Sequence, residues 1–327
     1  MKKIAIYLLL AICCLATYSC KDKKDKNNNE QKPTVTPPAF DADSAFAYVK
    51  AQTDFGPRVM GSTAHDQCRD YLLAKLGAFC DTAFVQNFTA NTYDGKHFPA
   101  QNIIASLNPD NPERIVLSSH WDSRPFADHD PNPSNRDKAI DGANDGASGV
   151  GVLLELARQL QKNRPGIGVD IVLFDAEDYG PKEGDDVPGE WWGLGSQYWA
   201  KNLHKPGYTA RFGILLDMVG SSNARFLQES FSVRDAQSVV AKVWSTAYDL
   251  GYGDIFINQP GGVITDDHYY VNKYSHIRMI DIIHYDNTSG TGFDPVWHTM
   301  NDNIQNIDKN TLGIVGKTLL QVIKNEQ

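Results

Sequence analysis

From residue 40 onward the apolar positions fall into short runs and amphipathic stretches that alternate along the chain. Helical signals open this region in "DADSAFAYVKAQTDFG", followed by a helix whose N-cap is placed at Ser62 and which carries Tyr71, Leu72 and Leu76. "TAFVQNFTA" and "AQNIIASL" read as strands. "RIVLSSH" is a short apolar run, and "GASGVGVLLELARQLQ" sets Val150, Leu153, Leu154, Ala157 and Leu160 at helical spacing. Further strands are expected at "VDIVLF", "RFGILLDMVG" and "IRMIDIIHY", interleaved with helices at "GSQYWAKNL" and "VRDAQSVVAKVWSTAYDLG". "TLGIVGKTLLQVIKN" forms a last helix. Strand-like runs alternating with helices predict an α/β protein: a single domain over residues 40–327, with an open, mostly parallel mixed sheet covered by helices on both faces.

The first twenty residues break this pattern. "MKKIAIYLLLAICCLATYSC" has Lys2 and Lys3, an apolar run, then small residues before Cys20. It reads as a signal peptide over residues 1–19, too short for a membrane-spanning helix. Ending on a cysteine, it resembles a bacterial lipoprotein signal, which implies a lipidated Cys20. A plain cleaved signal is the alternative. Residues 20–39 then read as a polar, Pro-ended tether. The expected location is the bacterial cell envelope, on the periplasmic side, with the membrane reached through the lipid.

Composition bounds the rest. The 327 residues are 41% hydrophobic, ample for a core, and the net charge of −9 argues against a nucleic-acid partner. Once Cys13, Cys14 and Cys20 are assigned to the leader, Cys68 and Cys80 remain. A helix through "STAHDQCRDYLLAKLGAF" would hold these two too far apart to bridge, so two buried thiols are expected.

The polar residues converge. His120 and Asp122 follow "RIVLSS", and Asp145 lies just before a helix in "DGANDGASG". Asp175, Glu177 and Asp178 follow "IVLF", Asp217 ends "FGILL", and His298 lies beyond "IDIIHY". Five segments therefore bring Asp, Glu or His to one sheet edge, where open α/β sheets bind ligands. These side chains suit zinc. A carboxylate pair such as Glu177–Asp178 makes sense if one member binds metal and the other serves as general base beside it.

"GPRVMGS", "HWDS", "NDGASG", "FDAED", "LLDMVG", "DDH" and "VWHTMND" occur in the order seen in zinc exopeptidases of the co-catalytic aminopeptidase type, over roughly residues 43–325. Within that superfamily "VWHT", "DDH" and the Trp pair of "GEWWGLGS" most resemble animal-type glutaminyl cyclases and their bacterial relatives. The resemblance implies cyclisation of N-terminal glutamine to pyroglutamate with loss of ammonia, acting on peptides or proteins that begin with Gln. It implies one Zn2+ on Asp145, Asp178 and His298, with Glu177 as proton shuttle. Asp217 and Asp267 would form an acidic network beside Glu177, and Trp192 or Trp191, Phe293 and Trp297 would line the glutamine pocket. Two departures from the pattern stand out: Asp178 where many relatives carry Glu, and the insertion "YGPKEGDDVP" before the Trp pair. The rival is a two-zinc aminopeptidase, with His120 and Asp217 holding the second ion and Asp145 bridging. A monomer is expected in either case.

Overall fold

A computed structural model describes residues 34–327. The leader over 1–19 and Cys20 lie outside the described residues, as does most of the tether. No helix among the described residues is long and apolar enough to cross a membrane.

Among the described residues, eight strands and seven α-helices follow in the order α1 (Ala42–Thr53), α2 (Thr63–Phe79), β1 (Thr82–Asn91), β2 (His97–Leu107), β3 (Arg114–His120), α3 (Ala147–Lys162), β4 (Gly168–Phe174), α4 (Leu194–Lys201), β5 (Gly213–Asp217), β6 (Phe226–Gln228), α5 (Ser230–Asp249), β7 (Phe256–Pro260), α6 (Asp267–Tyr274), β8 (Met279–Ile283) and α7 (Lys309–Asn325). Six strands form one sheet in the order β1-β2-β4-β3-β5-β8. β1, β2 and β4 pair antiparallel, and β4, β3, β5 and β8 pair parallel. β3 and β4 are buried at every position, as expected for strands covered on both faces.

Alternation along the strands divides the core. Ile103, Ile115, Leu117, Ile171, Ile214 and Ile280 pack with residues of α1, α2, α3, α5 and α7. Ile104, Val116, Val172, Phe174 and Leu215 meet Trp199 of α4 and Val271 of α6 on the other face. Ser62 caps α2 by accepting the N–H of His65, as its sequence position predicts. Cys68 and Cys80 are free thiols; Cys68 is buried as expected, whereas Cys80, at the C-cap of α2, is only half-buried.

Several boundaries differ from expectation. α5 begins at Ser230, ahead of the predicted Val233, because the Glu229 carboxylate accepts the N–H groups of Phe231 and Ser232. Only Gly213–Asp217 of "RFGILLDMVG" is strand. The small β6–β7 pair and the eight-residue α6 were not expected from the apolar pattern.

The chain steps from β3 to β4 on one side and then crosses to β5 on the other, so the strand order reverses about β3. The crevice at the C-terminal ends of these strands is where such sheets hold ligands.

Candidate active site

His120 is the last residue of β3, Asp217 the last of β5, and Glu177 and Asp178 follow the end of β4. Asp145 precedes α3, whose cap is Gly146 at φ +82°. A side chain at 146 would put its Cβ 2.7 Å from Cε1 of His120, so glycine is what allows the helix start to close over that ring.

These groups meet in two overlapping clusters. Asp145, Asp178 and His298 offer ligand atoms all within 4.8 Å of one another, as do His120, Asp145 and Asp217. His298 Nε2 lies 3.5 Å from Asp145 Oδ2 and 3.4 Å from Asp178 Oδ1. His120 Nε2 lies 2.9 Å from Asp145 Oδ1 and 3.2 Å from Asp217 Oδ1. Asp145 belongs to both clusters. The third carboxylate after β4, Asp175, is not part of either. It pairs with His65 at 2.8 Å and accepts the N–H of Gln101.

A second set of residues fixes the first, and sequence reasoning missed most of it. Asp122 accepts the backbone N–H of Glu177 at 3.1 Å and of Asp178 at 3.2 Å. Asp302 does the same for Asn144 at 2.7 Å and Asp145 at 3.1 Å. The buried Arg58 guanidinium donates to the carbonyls of Trp121 and Gly142, tying the end of β3 to the Asp145 loop. Asp128 holds Arg124 at 2.6 and 2.8 Å and sits 3.4 Å from Nδ1 of His298. The available signals were weak: Arg58 and Asp302 fall inside the quoted "GPRVMGS" and "VWHTMND", whereas Asp128 has none beyond its place in the loop after β3.

Backbone strain concentrates here. Four non-glycine residues among those described have positive φ: Asn108, Ala176, Met218 and His298. The last three adjoin or belong to the site, each at a cost on the order of 1–3 kcal/mol that the surrounding packing must offset.

The ionisable groups are strongly perturbed. Burial pushes Glu177 well above the ordinary carboxylate range; His120 opposes this, and Asp178 and Asp266 add to it. Burial raises Asp217 to about 7 against the hydrogen bond from His120. Burial also raises Asp145, but His120, His298 and Arg124 outweigh it and leave that carboxyl low. Such opposed shifts in neighbouring groups are a mark of functional sites.

Two adjoining cavities open onto this edge. The inner one, about 120 Å³, is lined by Glu177, Asp217, Asp266, Trp192, Phe293 and Trp297, with the Asp145, Asp178 and His298 set. The outer one, about 310 Å³, shares Trp192, Trp297 and His298 with it. The two acidic residues of "DDH" take different positions. Asp266, rather than Asp267, faces the inner cavity; Asp266 is the N-cap of α6, and Asp267, the first helical residue, is fully buried outside the lining. The two tryptophans also differ in position. Trp192 lines both cavities, whereas Trp191 lines neither and donates its Nε1–H to the carbonyl of Pro188. Gly180 makes room for Trp192: a Cβ at 180 would lie 2.0 Å from its Cε2.

The parallel strands, the reversal at β3 and the carboxylate–imidazole clusters at their ends are the architecture of a zinc-exopeptidase-like α/β enzyme. The chain belongs to Peptidase family M28, whose model matches residues 102–323. It is 53% identical to a Zn-dependent exopeptidase from Parabacteroides distasonis, with a TM-score of 0.87 over 89% of this chain and 100% of that one. It is 52% identical to Tannerella forsythia glutaminyl cyclase, again with a TM-score of 0.87 over 89% of this chain and 100% of that one. A glutaminyl-peptide cyclotransferase from Bos taurus is 27% identical over 254 residues, 67% of this chain; the match spans 64% of the bovine protein.

Proposed function

We propose that the protein converts the N-terminal glutamine of peptides and proteins to pyroglutamate with release of ammonia. The observation that carries this reading is the inner cavity. At about 120 Å³ it has room for one side chain, and it is walled by the carboxyls of Glu177, Asp217 and Asp266 and by the rings of Trp192, Phe293 and Trp297. The likeness to the Tannerella forsythia glutaminyl cyclase over that protein's full length supports it.

Asp145, Asp178 and His298 would hold one zinc ion. They fit it on physical grounds: their donor atoms are buried within 4.8 Å of one another, and Asp178 Oδ2 has no hydrogen-bond partner in the protein. Two carboxylates and an imidazole also match the three-ligand catalytic pattern. When bound there, zinc supplies a Lewis acid for the side-chain amide carbonyl of the substrate.

The remaining work falls to the chain. Glu177 takes a proton from the substrate's α-amine as that nitrogen bonds to the side-chain carbonyl carbon. The bond to the side-chain nitrogen breaks, and Glu177 returns the proton to the departing ammonia. A carboxyl raised by burial suits both transfers. Asp217 and Asp267 form the acidic network beside it, joined by Asp266, which lines the cavity; the charges of Asp266 and Asp267 both bear on Glu177. The aromatic wall excludes water and holds the substrate folded for ring closure.

A second reading has its own observation. His120, Asp145 and Asp217 form another buried donor group within 4.8 Å, the arrangement a two-zinc aminopeptidase needs. The α-amine separates the two readings. A Gln-initiated peptide with an acetylated amine should release no ammonia, because the nucleophile is blocked; release would contradict cyclisation.

We place the protein in the cell envelope, exported and anchored through Cys20. Cys20→Ser should shift it from the detergent phase to the soluble fraction or block its processing; an unmodified chain already soluble after export would contradict the anchor. Metal ligands, Glu177 and the aromatic wall all come from one chain, so a monomer suffices for activity.

A further inference from the structure

Glutamine chemistry needs only the inner cavity, yet a larger one adjoins it, and the insertion "YGPKEGDDVP" supplies part of its wall through Pro181 and Glu183. We propose that the outer cavity is the subsite for the second residue of the substrate peptide, and that it selects a basic side chain there over an acidic one. The proposal rests on the glutamine reading above.

Position comes first. The two cavities share Trp192, Trp297 and His298. Successive Cα atoms are only about 3.8 Å apart. With the first side chain in the inner cavity, the second residue must enter the space beside it. The outer cavity, at about 310 Å³, accommodates a long side chain.

Its chemistry is aromatic with a negative mouth. Trp192, Trp297 and His129 present ring surfaces, and the His129 and Trp297 rings are tilted against each other with centroids 4.4 Å apart. The buried Arg124 charge is already matched by Asp128, at 2.6 Å. Glu183 remains. Its side chain is 69% exposed, its backbone N–H is anchored on Asp128 at 3.2 Å, and its carboxylate lies 3.3 Å from Nε2 of His129. Asp185 and Asp186 of the same insertion are also exposed, while Lys182 is paired with Asp137. A cationic side chain meets a carboxylate and aromatic faces together, whereas an acidic one meets the like charge of Glu183.

The test uses the zinc-loaded, full chain and three peptides differing only at the second residue: Gln-Arg, Gln-Ala and Gln-Glu. The kcat/KM for ammonia release should fall in that order, with about 3- to 10-fold between the extremes at low salt. High salt should compress the spread. Glu183→Gln should narrow it, and Glu183→Lys should reverse it. Equal kcat/KM for the three peptides, or a spread that Glu183→Gln and Glu183→Lys leave unaltered, overturns the subsite alone. No ammonia from any of the three overturns the glutamine reading and the subsite with it.

Discussion

Asp128 Oδ1 lies 3.4 Å from Nδ1 of His298, so a carboxylate stands beside one ring nitrogen while the other faces Asp145 and Asp178. Arg124 fixes Asp128 in turn through two hydrogen bonds. Such a carboxylate sets the orientation and basicity of a metal-binding histidine. Asp128→Asn should therefore weaken zinc binding by about 10- to 100-fold, as read by chelator competition. Unchanged affinity would reduce Asp128 to a partner of Arg124.

The ligand set has its own signature. Chelation should abolish activity and zinc should restore it. Asp145→Ala and His298→Ala should lose metal and activity together. His120→Ala should cost less than His298→Ala, because His120 stands outside the three-ligand group. Equal losses in metal content and rate for the two histidines would favour the two-zinc arrangement.

Glu177→Gln removes the proton carrier and keeps the shape of the side chain. The variant should retain zinc and lose about 10²- to 10⁴-fold in kcat. A variant with near-normal kcat and full zinc content would remove Glu177 from the mechanism.

Glu229 makes a prediction about stability. Burial pushes its carboxyl up, but His268 at 2.9 Å and the N–H groups of Phe231 and Ser232 prevail and hold it at about 2. A folded-state pKa below the unfolded one contributes stability that is present above about pH 4.5 and lost as pH falls toward 2. The contribution is on the order of 3 kcal/mol. Thermal unfolding of the wild type and of Glu229→Gln should differ most above pH 5 and converge toward pH 2. A gap independent of pH would mean that the charge of Glu229 is not what stabilises the cap of α5.

How legible all this was depended on whether a feature is local. β3, β4 and α3 were readable because Val116, Ile171 and Leu153 belong to runs or helical repeats long enough to show their period. β6 has only three residues, and "FINQP" of β7 and "DHYYVNKY" of α6 lack the apolar runs that mark β5 and β8. The convergence of His120, Asp145, Asp178, Asp217 and His298 was legible because strand ends share an edge. Which member of an adjacent pair faces inward was not. Asp266 and Asp267 are separated by the start of α6, and Trp191 and Trp192 by which ring fits against Gly180. The roles of Asp128 and Asp302 were hard to read because the site groups they face lie far away in sequence: His298 for the one, Asn144 and Asp145 for the other.

The central claim is that this edge closes a ring on glutamine and leaves the peptide bond intact. The most direct measurement is ammonia release from a Gln-initiated peptide beside amino-acid release from a Leu-initiated one, both with the zinc-loaded protein. The account predicts ammonia from the first, with its peptide bond uncut, and no free leucine from the second. Efficient release of leucine with no ammonia from the glutamine peptide would contradict it.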